Sequence, residues 1–436
     1  MKSTKFWSRF KRLPPGVLLV FGFAFVIFLG AVLLLLPAMQ NPNTDVSFVN
    51  SLFTSTSAVC VTGLIAVDTA DTFSVAGRTI VALLIQIGGL GVTSVGVGLI
   101  LLARKRIGLK SRMLVKEALN LESFRGAVVL VRAILIMTLC FETLGTALSY
   151  LSFSKYYAPL DALGISLFHS IAAFNNSGFD ILGGLTNLIP YQGDVLLNLT
   201  TCGLIFFGGI GFLVILDVMK KRRFRTLTLH SKIVITTSVV LIVLGTLLLK
   251  LTENITWLGA LFQSVSARTA GFSTYAIGSF TGAGLFTLTI LMFIGASPGS
   301  TGGGIKTSTM FTLLMSVRGI VSNRRPGAFK RTIAHEVVEK AFTILLLSAF
   351  VVCIATFALC VLEPSCTFQQ VLFEVVSAFG TVGLSTGITP ALSDAAKLVL
   401  VLVMFIGRLG PLTIVLLGAG NNEPGARYSE EAVTVG

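Results

Sequence analysis

From Ala341 to Leu362 the chain runs for 22 residues without a charge, bounded by Lys340 and Glu363. About 20 apolar residues in a helix cross the hydrocarbon core of a bilayer, so this run constrains the fold more than any motif does. Val17–Leu36, Thr79–Ala103 and Val195–Leu216 read the same way. Charged residues are 12% of the chain, against about a quarter in a soluble domain. The expected class is an all-α polytopic membrane protein, and its 436 residues are not a count of soluble domains. The first run is too long for a signal h-region and lacks a small-residue cleavage site, so it reads as a retained span.

The net charge of +14 is distributed unevenly. Lys2–Arg12, Arg104–Arg125, Lys220–Lys232 and Arg318–Lys340 hold 24 of the 33 basic residues. Clustering in alternate loops is the positive-inside pattern. It accounts for the charge by topology and contact with anionic membrane lipid, with room for a cytosolic protein partner, and argues against nucleic acid. The six cysteines are scattered without a CxxC, which suggests buried thiols and neither a disulfide framework nor a metal site. His335 opens "HEVVE", which lacks the second His of a zinc protease motif. His169 is expected to pack or hydrogen-bond within its helix.

Four segments align on Leu-Phe or its equivalent: "SLFTSTSAVCVTGL" from Ser51, "SLFHSIAAFNNSGF" from Ser166, "ALFQSVSARTAGF" from Ala260 and "VLFEVVSAFGTVGL" from Val371. Each is a short apolar helix that turns through polar residues to a glycine, and the third is one residue shorter. Each has one apolar span before it and one after. The unit is therefore span, half-helix, turn, span, repeated four times around a pseudo-fourfold pore, with eight transmembrane helices. The repeats are expected at 16–110, 111–225, 226–330 and 331–420, between a cytosolic N-terminus at 1–15 and a cytosolic tail at 421–436. The basic N-terminus places both ends in the cytoplasm and all four turns outside. Asp161 is a candidate cap for the second half-helix, and Thr367 with Gln370 fits a capping box for the fourth.

Irregular backbone at membrane depth must be buried in protein or line water. Four such turns converging on an axis satisfy this, with their carbonyls replacing the hydration shell of an ion. The half-helices end at the turns, so their partial negative ends favour a cation. Glycine permits the torsions that aim successive carbonyls to one side. The expected selectivity filter for K+ is Val61, Thr62 and Gly63; Asn176, Ser177 and Gly178; Thr269, Ala270 and Gly271; Thr381, Val382 and Gly383. Close packing of small residues is the structural alternative. Asp45, Asp68, Asp71, Asp161, Asp180, Glu253 and Asp394 fall on the outer side, as cation-concentrating groups or as solvated loop charge.

"GASPGSTGGGIKTST", from Gly295, interrupts the second span of the third repeat. A Walker A loop fails on spacing, since Ile305 stands where Lys is required. Gly295, Ala296, Ser297, Pro298, Gly299, Ser300, Thr301, Gly302, Gly303 and Gly304, with Lys306 beyond, form an expected intramembrane loop below the filter, and such a break is expected in this repeat alone. Arg408 lies in "MFIGRLGP"; a charge at that depth costs ~2.5 kcal/mol or more, so it should face the pore or the loop. It is read as an electrostatic barrier or an anchor for the loop. Lys306 acts similarly or marks the cytosolic boundary. Glu142 and Arg132 are expected to be structural.

At these residues the chain resembles the Trk/Ktr/HKT potassium transporter superfamily, and within it the KtrB-type membrane subunits of bacterial Ktr systems. "LIQIGGLGV", "FNNSGF", "RTAGFST", "SAFGTVGLSTGITP" and "MFIGRLGPLT" carry the likeness over nearly the whole chain. The resemblance implies potassium uptake across the prokaryotic plasma membrane, a homodimer with one pore per subunit, and a gating role for the Gly-rich loop. It also implies a cytosolic KtrA-like nucleotide-binding ring, which binds ATP and ADP in place of this chain. No covalent cofactor is expected, and sodium is a candidate coupling or activating ion. In this superfamily Ser at the first-repeat glycine accompanies sodium transport; Gly63 favours potassium. Only the fourth turn has TVG, and none has the second glycine of TVGYG, so fewer carbonyl rings are available than in potassium channels. The expectation is a transporter, not an enzyme. The alternative is an ion-coupled secondary transporter with broken helices at the midplane; repeats that all run in the same direction argue against it.

Overall fold

The computed structural model describes residues 15–42, 44–102, 113–114 and 127–418. The basic N-terminus, most of the cluster Arg104–Arg125 and the tail at 421–436 lie outside the described residues. The described chain is mostly helical. In its first segment α1 is Pro15–Leu34, α2 Phe48–Val59, α3 Val75–Leu90 and α4 Val92–Leu102. The second has α5 Ala127–Phe153, α6 Pro159–Phe174, α7 Val195–Gly209 and α8 Phe212–Lys221. The third has α9 Leu229–Thr252, α10 Trp257–Ser266, α11 Gly282–Phe293 and α12 Thr307–Val321. The fourth has α13 His335–Leu362, α14 Phe368–Gly380, α15 Asp394–Leu409 and α16 Pro411–Gly418.

By length and composition, α1, α5, α9 and α13 can each cross a membrane, and the bent pairs α3–α4 and α7–α8 raise the number of candidate spans to six. The short helices between them begin at local signals. Ser47 accepts from the Asn50 N–H at the start of α2, and Thr256 from the Gly259 N–H at the start of α10. Thr367 and Gln370 form the expected reciprocal capping box of α14. The start of α6 corrects the sequence reading: Asp161 lies in its first turn, while Ala158 is the cap residue and Pro159 opens the helix. Proline suits that place because its missing N–H has no intrahelical partner there.

A larger correction concerns the second helix of each segment. The break expected only at Gly295 is present in all four. α3 gives way to α4 at Gly91 (φ 82°), α7 to α8 at Gly211 (φ 98°) and α15 to α16 at Gly410 (φ 87°). The axes turn by 101° and 96° in the first two pairs. In the third segment the break widens into residues 294–306, whose ends pair through a parallel bridge between Ile294 and Ile305. The sequence carried the signal, because "IGGLG" at Ile87, "FGGIG" at Phe207 and "IGRLG" at Ile406 repeat one pattern, with "IGASP" at Ile294 in register. The chain is also not wholly helix and turn. Gly327–Ala328 (β1) and Arg331–Thr332 (β2) form a small antiparallel hairpin, with Phe329 and Lys330 both at positive φ in its turn.

The segments pack in cyclic order. α3 lies against α6, α7 against α10, α11 against α14, and α15 against α2. Each segment thus leans its third helix on the short helix of the next, and the fourth returns to the first. Small residues allow the close approach. A methyl group on Gly88, Gly208 or Gly407 would collide with the carbonyl of Val59, Phe174 or Phe379, at or near the end of the same segment's short helix. Gly30, Gly145 and Gly245 on the long helices likewise leave room for the hydroxyls of Ser55, Ser170 and Ser264.

Candidate functional site

The C-terminal ends of α2, α6, α10 and α14 meet at the centre of this arrangement. Beyond each end the chain turns sharply. Val61, Asn176, Thr269 and Thr381 have φ of 57°, 59°, 85° and 51°, and the glycines that follow two residues later have φ of 92°, 69°, 77° and 94°. Positive φ is uncommon outside glycine and a real departure for a β-branched residue. Alternating positive and negative φ turns successive carbonyls toward one side. All eight non-glycine residues of the turns are fully buried.

The hydrogen bonds of the turns explain how this backbone is held. Thr62 N donates to Ser57 O at 2.7 Å, Ser177 N to Ala172 O at 2.9 Å, Ala270 N to Ser266 O at 2.8 Å and Val382 N to Ser377 O at 2.9 Å. In the shorter third copy Gly271 N shares the Ser266 carbonyl at 3.3 Å. The N–H groups are therefore taken by the preceding helix. The carbonyl oxygens of Thr62, Ser177, Ala270 and Val382 accept no hydrogen bond from the described residues. Buried backbone groups are nearly always paired, so four unpaired carbonyls at matching places are a marked exception.

These carbonyls form a closed circuit. A methyl group on Gly63 would run into Ser177 O, one on Gly178 would lie 2.7 Å from Ala270 O, one on Gly271 would meet Val382 O, and one on Gly383 would meet Thr62 O. The sequence aligned the four turns; the structure places each against the next and the last against the first. Only glycine fits at these four places, on grounds of space and of torsion alike.

Several supporting residues escaped the sequence reading. Ser57 Oγ accepts from Gly63 N at 3.0 Å and donates to Leu64 O at 2.8 Å, and Ser377 Oγ accepts from Gly383 N at 3.0 Å. Ser266 donates to Phe272 O, and Ala172 takes the corresponding place in the second segment. The signal was a Ser-Ala pair at 57, 266 and 377, five or six residues before the glycine. Glu374 on α14 is fully buried and accepts from the Ser385 hydroxyl at 2.7 Å, Thr386 N at 2.9 Å and the Thr389 hydroxyl at 2.8 Å. It staples the chain beyond the fourth turn. Asn187 ties the second turn to the third: its amide donates to Gly178 O at 3.2 Å and accepts from Ser273 N at 3.0 Å. Outside the ring Asp180 is buried; burial pushes its carboxyl up to about 6, opposed by donors from Leu182 and Asn187, with Asp68 and Asp71 adding repulsion.

The broken third segment lies directly beneath the turns. Ser297 N donates to Gly209 O at 3.0 Å, Thr301 N to Gly208 O at 3.2 Å, and Phe212 N to Gly299 O at 3.0 Å. The Thr301 hydroxyl reaches Phe174 O at 3.4 Å. Gly303 N donates to the Thr381 hydroxyl at 2.9 Å. Ala296, Ser297 and Thr301 are fully buried, while Pro298, Gly299 and Ser300 are half-buried. Lys306 folds back on the loop, donating to Gly302 O at 2.7 Å; it does not reach toward water. Gly295 and Gly304 pack against each other, and Gly304 also abuts Gly380.

Arg408 is the penultimate residue of α15, at the break, and not in mid-helix. Its guanidinium donates to Thr301 O in the loop and to Gly88 O at the break of α3, with Gly89 O at 3.5 Å. In register it stands where the other segments carry Gly89, Gly209 and Ala296. One arginine thus joins the loop to two other segments through carbonyl oxygens. Arg268 is buried and donates to Ser238, and Lys397 is buried on α15 with its ammonium 3.0 Å from Asn50 Oδ1. Glu142 accepts from the Asn175 amide at 3.1 Å, and His169 pairs with the Thr201 hydroxyl at 2.8 Å.

The family model for cation transport proteins of the TrkH type matches residues 24–425. The chain belongs to the TrkH family. It is 40% identical to Ktr system potassium uptake protein B of Bacillus subtilis, over 99% of this chain and 98% of that protein. It is 36% identical to Ktr system potassium uptake protein B of Vibrio alginolyticus (97% and 95% covered), and 35% identical to the potassium/sodium uptake protein NtpJ of Enterococcus hirae (98% of each). Among solved structures, the potassium transporter TrkH of Vibrio parahaemolyticus matches with a TM-score of 0.73 and 19% identity, over 93% of this chain and 84% of that one. At that identity the likeness concerns the fold. Membership in the TrkH family makes this a multi-pass membrane transporter, and the ring of turns is its candidate ion path.

Proposed function

We propose that this protein carries potassium into the cell through a selectivity filter made of the four Gly turns. The observation that carries this reading is the circuit of four buried, unpaired carbonyls, from Thr62, Ser177, Ala270 and Val382. Such oxygens lose hydration on folding without gaining a donor, and a dehydrated cation at their centre restores the balance. The negative ends of α2, α6, α10 and α14 add to the attraction. The chemistry is then entirely that of the backbone, which suits a transporter with no covalent cofactor and no enzymatic step. Two relatives named for potassium uptake, and one named for potassium and sodium, agree with potassium as the main ion and sodium as a second one.

In this reading the chain comprises four repeats, at 16–110, 111–225, 226–330 and 331–420, around one pseudo-fourfold pore. Its eight spans include the broken ones, and both termini are cytoplasmic in the plasma membrane. The segment Gly295–Gly304, with Lys306, is a gate that obstructs the path below the filter, and Arg408 holds it closed. Two chains form a homodimer, and a cytosolic KtrA-like ring that binds ATP or ADP moves the gate. The relatives' description as parts of a Ktr system supports a separate partner subunit. The test is flux through the purified chain in liposomes under opposed potassium and sodium gradients. Saturable potassium flux exceeding sodium flux is the expected result; no cation flux, or flux without preference, would overturn the reading.

A further inference from the structure

The loop does more than lie under the turns, because it is bonded to the innermost residue of one of them. Gly303 N donates to Thr381 Oγ1 at 2.9 Å. Thr381 is the inner residue of the fourth turn and is held at φ 51°, a strained value for a β-branched side chain. The loop backbone also presses on the third turn. A methyl group on Gly302 would collide with Thr269 Oγ1, and one on Gly303 with Thr381 Oγ1. Thr269 in turn donates to the Asn176 amide at 3.0 Å when that amide is oriented to donate to Ile205 O and Ala173 O. Thr301 completes the attachment at the end of α6 through Phe174 O. The first turn offers only Val61 at this level, which has no polar side-chain atom.

A hydroxyl oxygen is a hard ligand that suits a cation as well as it suits an N–H donor. We propose that Gly303 N–H acts as a stand-in for a cation at Thr381 Oγ1, so that closure of the loop and occupation of the inner face of the ring by potassium exclude each other. A potassium ion entering the inner face takes the lone pairs of Thr381, and the loop loses its bond to the ring. The permeant ion thereby loosens its own gate. Arg408 acts on the other side of the loop, through Thr301 O, and its bond is untouched by this exchange. The glycines at 302 and 303 have a reason in this account, since any side chain there would push the N–H away from the hydroxyl.

This inference rests on the reading of the turns as the ion filter, and its test separates the two. Amide hydrogen exchange across residues 295–306 is followed by mass spectrometry in lipid nanodiscs, with potassium replacing N-methylglucamine at constant ionic strength. Loss of one hydrogen bond corresponds to a change of roughly two- to tenfold in opening, so exchange in the wild-type loop should quicken by that factor at saturating potassium. In Thr381→Val exchange should be fast at the outset and indifferent to potassium; Thr381→Ser, which keeps the hydroxyl, should restore the response. A wild-type loop that exchanges at one rate with or without potassium overturns the proposal, as does a Thr381→Val loop that still responds. Ion preference measured in Gly383→Ser liposomes reports on the filter independently. A loop insensitive to potassium in a chain whose preference falls with Gly383→Ser sinks the latch and leaves the filter standing.

Discussion

The ring of turns and the layer of breaks beneath it are drawn from the same four segments of the chain, and the segments differ much more in the lower layer than in the ring. In the ring every segment supplies the same parts: a short helix, an inner residue at positive φ, a carbonyl and a glycine. In the layer beneath, the corresponding residues are Gly89, Gly209, Ala296 and Arg408, and the third segment has a loop where the others break at a single residue or two. The proposed filter accounts for the first pattern, because holding an ion by backbone oxygens requires near-equivalence from all sides whatever the side chains. The proposed gate accounts for the second, because blocking a path requires only one obstacle and one anchor. The lower layer concentrates its polarity in a single loop and a single arginine, and has glycine where a side chain would crowd them.

Erasing the asymmetry of the lower layer should have the largest effect. Deletion of Gly299–Gly304 turns the third break into something nearer the other three, and potassium flux in liposomes should rise at least about tenfold if the loop obstructs the path. A folded variant with unchanged flux would remove the loop from the gate. Arg408→Ala should act in the same direction but less, by about fivefold, because it removes charge-assisted bonds to Thr301 and Gly88 while Thr381, Gly208 and Gly209 still hold the loop. Arg408→Lys should fall between, since an ammonium lacks the planar fork that reaches two segments at once. Equal flux in all three proteins would leave Arg408 a packing residue.

The smallest effect concerns the rim above the ring, where the segments again differ. Burial pushes the Asp180 carboxyl up to about 6, against an ordinary value near 4. Uptake should rise about twofold as external pH passes through 6 and its carboxylate forms, and Asp180→Asn should flatten that step. Stability should move the opposite way. Between about 4 and 6 the folded state keeps a proton that the unfolded state has lost, so stability falls as pH rises through that window. Thermal unfolding of the wild type and Asp180→Asn at pH 4 and 7 checks the sign.

The parts of this molecule that were legible in the sequence are those written in apolar length and in glycine. The four short helices and the four turn glycines were found from aligned segments, because a backbone at positive φ in a crowded place leaves little choice of residue. The capping box at Thr367 was legible for a similar reason. The breaks at Gly91, Gly211 and Gly410 were missed because they fall inside spans read from apolar length, and apolar length alone cannot distinguish a straight helix from a bent one. Comparing "IGGLG", "FGGIG" and "IGRLG" would have found them. Glu374, Asn187 and the partners of Arg408 were out of reach. Their bonds join residues distant in sequence or hidden in loops, and no periodicity announces a carboxylate surrounded by hydroxyls.

Whether the carbonyl circuit selects the ion is decided by serine substitutions at its glycines. Potassium and sodium flux should be compared in liposomes carrying the wild type, Gly63→Ser, Gly383→Ser and Gly203→Ser. The last is a control on α7, where an added side chain meets open space. Gly63→Ser and Gly383→Ser should lower the potassium-to-sodium flux ratio by about tenfold, because each side chain displaces a carbonyl of the next turn, while Gly203→Ser keeps the wild-type ratio. An unchanged ratio in both ring variants, in protein that still folds and conducts, would contradict selection by the circuit and make the four glycines packing devices.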